Sequence, residues 1–184
     1  MTSLARKPAF WVATVLVIAV VGAVALYLFQ PWRLLTNRAV DESLPLETSS
    51  PAATDTGSTG EPTEQTGPTT IASGSFITHE HETSGTAKIV ELADGSRVLR
   101  LENLKTSDGP DLRVWLSDQE VKRGAAGWRV FADGEHVELG KLKGNEGNQN
   151  YPIPDGTDTD ELSSVTIWCK RFSVSFGAAA LERT

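Results

Sequence analysis

Cys169 is the only cysteine in the chain, and Lys170 and Arg171 place two cations directly after it. A lone thiol cannot close an internal disulfide, and Cys₂ or Cys₄ zinc sites are excluded. It could act as a bare redox thiol, ligate a metal, or serve as an axial haem ligand. A reactive thiol needs a lowered pKa and some access. The competing role is that of most free cysteines, a small buried hydrophobe. His79 and His81 would project from one face of a strand, a spacing that suits chelation. His136 flanks a turn. The only methionine is Met1, which removes thioether ligation from the folded part.

Several chemistries are excluded by order or spacing. No His or Met follows Cys169, so the blue-copper order is absent. Covalent c-type haem lacks its C-x-x-C-H motif. Asp155, Asp158, Asp160 and Glu161 cluster in a loop, but their spacing is not that of an EF-hand, and a solvated loop is the better reading. There is no nucleophile elbow, phosphate loop or zinc-hydrolase helix, so nothing argues for hydrolysis.

Residues 74–184 read as the strands that must position these side chains. Ser75–Glu80 alternates. Thr86–Leu92 and Arg97–Leu104 flank Ala93-Asp94-Gly95-Ser96, which predicts a hairpin with positive φ at Gly95 in a tight two-residue turn. Leu112, Val114 and Leu116 alternate with Arg113 and Trp115. Asp133-Gly134 is a turn before His136-Val137-Glu138-Leu139. Leu162–Cys169 and Phe172–Phe176 are rich in β-branched and aromatic residues. Val165, Ile167 and Cys169 share a face, whereas Phe172, Val174 and Phe176 have the opposite parity. A bulge or tight turn near Lys170-Arg171 must therefore change the phase. No sustained helical period appears in this region. An all-β antiparallel sandwich or barrel-like domain is predicted, with Cys169 ending an inward-facing row.

The rest of the 184-residue chain is of another kind. Residues 1–8 form a short tail. Residues 9–29 carry no charge and make a helix about 31 Å long, enough to cross a bilayer. Trp11, Tyr27 and Trp32 lie near its ends as an aromatic belt would. The rival reading is a cleaved signal peptide at Ala23-Val24-Ala25, against which Leu26–Phe29 continues the apolar run. Residues 30–73 read as a disordered Ser/Thr/Pro/Gly-rich linker, and 41–73 hold six acids and no base. Such a stalk would span on the order of 30 Å. A docking segment is the alternative. The net charge of −7 speaks against a strongly basic nucleic-acid binder. The expected location is the cell membrane, single-pass, with the C-terminal domain extracytoplasmic.

Several motifs then occur in order. Gly74-x-Phe76 and His81-x-x-Ser84-Gly85-Thr86-Ala87 open the domain, followed by Leu99-Arg100-Leu101-Glu102-x-Leu104 and Gly109-Pro110-Asp111-Leu112-Arg113-Val114-x-Leu116. Next comes Leu139-Gly140-x-Leu142-Lys143-Gly144-Asn145-x-Gly147-Asn148-Gln149-Asn150-Tyr151-x-Ile153-Pro154. Ser164-Val165-x-Ile167-Trp168-Cys169-Lys170-Arg171-Phe172-Ser173-Val174-x-Phe176-Gly177-x-Ala179 closes it. Residues 74–184 thus resemble the DM-thirteen domain family, the electron-transfer-type domain also found in Skeletor-like proteins.

The resemblance implies an all-β domain displayed outside the cell, with a redox role centred on the family cysteine. That cysteine would act as a bare thiol or through a prosthetic group such as haem. Cys169 matches its position, and His81 matches the family's His before Ser-Gly, so these two are the cofactor-binding candidates. Neither a haem nor a metal is required. Multidomain relatives carry DOMON-type cytochrome-like domains, so an electron relay here implies a separate redox partner protein. Three functions remain open. They are a membrane-tethered redox module, a non-catalytic envelope binding or adhesion module with a structural Cys169, and a metal or haem carrier using Cys169 with His79, His81 or His136.

Overall fold

Two β-sheets face one another across a single apolar core, and the strands that build them begin earlier in the chain than the sequence pattern indicates. The computed structural model describes residues 8–30, 36–45 and 67–184. The first element is α1 (Pro8–Phe29), opened by a proline at the first helical position, where its missing N–H costs nothing. It is apolar all round. Its stretch Phe10–Leu28 is long and apolar enough to cross a membrane, and none of it is buried against the rest of the protein, unlike the core helix of a soluble domain. A membrane span or a signal sequence fits this helix.

Sheet A has the order β1-β8-β5-β4-β2-β11. Its strands are β1 (Ala39–Asp41), β2 (Thr69–Ser75), β4 (Ser84–Glu91), β5 (Arg97–Lys105), β8 (Glu146–Ile153) and β11 (Glu182–Arg183). Sheet B has the order β3-β10-β9-β6-β7. Its strands are β3 (Ile77–Thr78), β6 (Leu112–Ser117), β7 (His136–Lys141), β9 (Ser164–Cys169) and β10 (Val174–Ala180). The described pairings are antiparallel except β1 with β8, which is parallel. The expected antiparallel sandwich is therefore present, with one parallel strand at an edge.

Two strands come from the stretch read as linker. β1 lies near its start and β2 at its end, and residues 31–35 and 46–66 of that expectation lie outside the described residues. β2 is Thr- and Ser-rich, and its pairing with β4 through backbone hydrogen bonds needs little apolar side chain. The expected strand Ser75–Glu80 is broken in two. β2 ends at Ser75, β3 holds only Ile77 and Thr78, and His79–His81 form a bend.

The core joins Ala87, Ile89, Leu99, Leu101, Leu104, Tyr151 and Ile153 of sheet A to Leu112, Val114, Leu116, Val165, Ile167, Cys169 and Phe176 of sheet B. Asn103 takes φ +50 at a register shift between Leu101 and Leu104, and both leucines then point inward. β9 is buried on both faces. Its outer face is covered by the 3₁₀ turns Gly124–Gly127 and Val130–Ala132, where Phe131 packs with Trp115 and Trp168.

The β4–β5 hairpin is present, with a different turn from the one expected. The Leu92 N–H donates to Ser96 O at 2.9 Å and the Gly95 N–H donates to Leu92 O at 2.9 Å. Three residues, Ala93 to Gly95, make the connection, with Gly95 at φ +82. A three-residue loop closes on a left-handed residue, and glycine adopts that conformation without strain.

Candidate functional site

The phase change after Cys169 comes from a tight turn. Cys169 pairs with Val174, so Lys170–Ser173 close the β9–β10 hairpin, with Ser173 at φ +50. A second shift lies between Ser175 and Gly177. On its other side Cys169 pairs with Leu112 of β6. The thiol is therefore held between two neighbouring strands at one end of the inward-facing row, with no measurable exposure.

Burial pushes the Cys169 thiol up from its ordinary range. The backbone N–H groups of Phe172, Arg171 and Asp111 act in the opposite direction, since donors aimed at sulfur favour the thiolate. Burial wins, and the lowered pKa expected from Lys170 and Arg171 is not what the structure gives. Those cations are exposed and engaged elsewhere: Lys170 Nζ meets Glu138 at 3.4 Å and Arg171 Nη1 donates to Leu28 O at 2.8 Å. What favours the thiolate is a backbone cap made of the 170–173 turn and the Asp111 loop. The Lys170 N–H ties its two halves together by donating to Asp111 O at 2.9 Å.

His81 reaches the same end of the sandwich by another route. Its ring packs on Phe176 with centroids 3.9 Å apart, and its Nε2 meets the Glu80 carboxylate. Phe176 and Leu112 both lie against Gly109. Cys169, Leu112, Gly109, Phe176 and His81 thus form one contiguous run. Thr83 Oγ1 braces it, within 3.1 Å of the His81 and Phe176 carbonyls and of the Thr106 hydroxyl.

His79 departs in another direction, so the expected chelating pair is not formed. Its Nδ1 lies 2.8 Å from Ser175 Oγ and its Nε2 3.0 Å from the Lys122 carbonyl. Burial holds its pKa below the ordinary value, and the Lys122 hydrogen bond only partly offsets this. His136 stacks on Trp115 at 3.8 Å, and Trp115 stacks on Trp168 at 5.0 Å. Among the described residues no group of three or more His, Cys, Asp or Glu is placed to hold a metal ion. In the acidic loop, Asp158 accepts the N–H groups of Asp160 and Glu161, and Asp160 pairs with Arg183. This is the solvated loop the spacing indicates.

Behind the Cys169 cap lies a cleft of about 440 Å³. Asp108–Leu112 form one wall, Lys141–Asn145 a second, and Thr36–Arg38 a third. The second wall is shaped by buried amides. Gln149 Oε1 accepts from the Lys143 and Gly144 N–H groups and from the Tyr151 hydroxyl, and its Nε2 donates to Gly144 O at 2.7 Å. Asn145 Nδ2 donates to Thr106 O at 2.9 Å. The strands, the cysteine and these amide-built turns are the features by which a family would be known. The electron transfer DM13 family model matches residues 75–181.

The chain belongs to the electron transfer DM13 family.

No curated protein and no solved structure matches it. The family's description suggests a redox-related role. The DM13 match covers the cleft's first two walls and Cys169, whereas Thr36–Arg38 lie before it. Gln149 and Asn145 carried no chemical signal in the sequence, because an amide that builds a turn and an amide in solvent look alike there.

Cys169 and His81, the pair that would hold a prosthetic group, do not fit one. The sulfur lies in close-packed core beside Leu112 and backbone amides, and the His81 ring is committed to Phe176 and Glu80. A haem macrocycle would have to displace that packing.

Proposed function

We propose that the chain is a single-pass membrane protein whose DM13 domain lies outside the cytoplasm and takes part in thiol redox exchange through Cys169. The uncharged helix α1 supports the anchor, and residues 67–184 are the working part. The observation that carries the redox reading is the cap on the one sulfur in the domain. Burial keeps the sulfur protonated while the cap is shut, and the cap is a single turn meeting the Asp111 loop, so its opening brings water to the thiol.

The cap is one backbone layer thick. Lys170, Arg171, Phe172 and Ser173 are all exposed, so opening the turn uncovers sulfur while giving up little buried apolar surface. With the cap open, Cys169 loses its proton to water. The thiolate attacks a disulfide of a separate redox partner, forming a mixed disulfide and expelling the partner's other sulfur as thiolate. Cys169 is oxidised and the partner sulfur is reduced. A second thiol reverses the step.

The full burial of Cys169 favours one other reading, a non-catalytic envelope binding module with a structural cysteine. Titration of the full chain in detergent against glutathione redox buffers separates the two. A reversible mixed disulfide at Cys169, formed without unfolding, supports exchange. Modification only on unfolding supports the structural role. Topology is tested separately by labelling single-cysteine variants in intact cells and in inverted vesicles.

A further inference from the structure

β1 lies outside the DM13 match and is the next described element after the helix, yet it is bound to the domain by a dense set of directional contacts. Ala39, Val40 and Asp41 pair in parallel with Glu146, Gly147 and Asn148. Asn145 Oδ1 accepts the Arg38 N–H at 2.6 Å, and Asn148 Nδ2 donates to Asp41 at 2.7 Å. Lys143 Nζ donates to both Glu42 oxygens at 2.8 Å, and the Asn150 N–H donates to Glu42 Oε2 at 2.8 Å. The Arg100 guanidinium donates to Glu42 O, and Asn150 Nδ2 donates to Ser43 O at 2.6 Å. The Lys143 hydrogen bonds hold the Glu42 carboxyl below the ordinary carboxylate range.

The acceptor edge is shaped for this strand. A Cβ on Gly147 would strike the Val40 carbonyl, and a Cβ on Gly144 would strike the Arg38 carbonyl. Gly147 also takes φ +101, which side-chain-bearing residues rarely adopt. Backbone pairing plus side-chain readout at alternate positions is the manner in which a sheet edge binds a peptide.

We infer that the β8 edge is a strand-binding site whose occupant is this chain's own segment 36–43, and that this docking holds the domain against the membrane. Only residues 30–38 separate α1 from β1. At no more than about 3.6 Å per residue they reach about 30 Å when fully extended. Docking also brings Thr36–Arg38 to the cleft beside Cys169, so the cleft is complete only when the strap is seated. The inference rests on the membrane-anchor reading for its location but not for the docking itself.

Both are read in one experiment on the full chain. An affinity tag followed by a protease site is inserted within 46–66, so that the tag stays with segment 36–43 after cleavage. Co-elution of the C-terminal fragment with the tag, in detergent and after cleavage, is the expected result. Val40→Pro, which removes a donor on the strap alone, should release most of it. Glu42→Lys should also release it, and adding Lys143→Glu should restore retention. Quantitative release of the unmodified fragment overturns the docking inference. Retention that neither Val40→Pro nor Glu42→Lys weakens assigns the contact elsewhere and overturns it equally. Fractionation before cleavage reads the anchor independently, because an uncleaved chain found in the soluble fraction refutes the membrane reading whatever the fragments do.

Discussion

Leu112 and Cys169 are register partners across β6 and β9, and Leu112 also lines the 440 Å³ cleft. The Leu112 side chain thus lies between the domain's thiol and this cleft. Leu112→Ala should open that wall. It should raise the labelling rate of Cys169 by a small reagent at least tenfold, at a cost of about 2–5 kcal/mol in stability. Labelling is followed by mass spectrometry and stability by urea unfolding. An unchanged labelling rate in the folded variant would mean that reagent reaches sulfur only through the 170–173 turn.

Gly95 stands at φ +82 in the three-residue β4–β5 loop, with open space around it. Gly95→Val meets no steric obstacle there, so its cost is conformational. Thermal unfolding should show a loss of about 1 kcal/mol or more, with thiol exchange unchanged. An unaltered melting temperature would show that the loop relaxes to another turn.

His79 gives the fold a pH dependence near neutrality. Its folded pKa lies below the ordinary value of 6.5 because burial disfavours the cation. Between those two values the unfolded chain binds a proton that the folded chain does not, so stability rises with pH there. The contribution is complete above about pH 6.5 and is lost as pH falls through that value towards the folded pKa. The lowered carboxylates Glu42 and Glu102 respond only below their ordinary value of 4.5, outside this window. Melting temperatures from pH 7.5 to 5.5 should fall in the native protein and change less in His79→Gln.

Periodicity made the inward row Val165, Ile167, Cys169 legible, because alternation along a strand is fixed by the pleat. The Asp94-Gly95 hairpin was legible for a similar reason, though the turn length was not. β1 and β2 were hidden because their pairing is a matter of backbone groups and short polar side chains, which read as linker. The His79–His81 pair failed because the strand ends at Thr78, and a bend sends the two rings to different neighbours. Burial of Cys169 beneath a cap depends on the Asp111 loop, more than fifty residues away, and no local pattern reports such a contact.

Cys169→Ser should keep the fold, since the hydroxyl is close in size to the thiol and can accept the same N–H groups. Circular dichroism should be unchanged and stability lowered by about 1–2 kcal/mol. Loss of folding would show that sulfur packing itself holds this end of the core together.

The most direct test of the redox account is the glutathione titration of the folded full chain, read by trapping and intact-mass spectrometry. The account predicts one reversible mixed disulfide, located at Cys169, absent from Cys169→Ser, and forming faster when Lys170–Ser173 are loosened by Ser173→Pro. A thiol that stays reduced across the whole series while the protein is folded, and reacts only once it is unfolded, would contradict it.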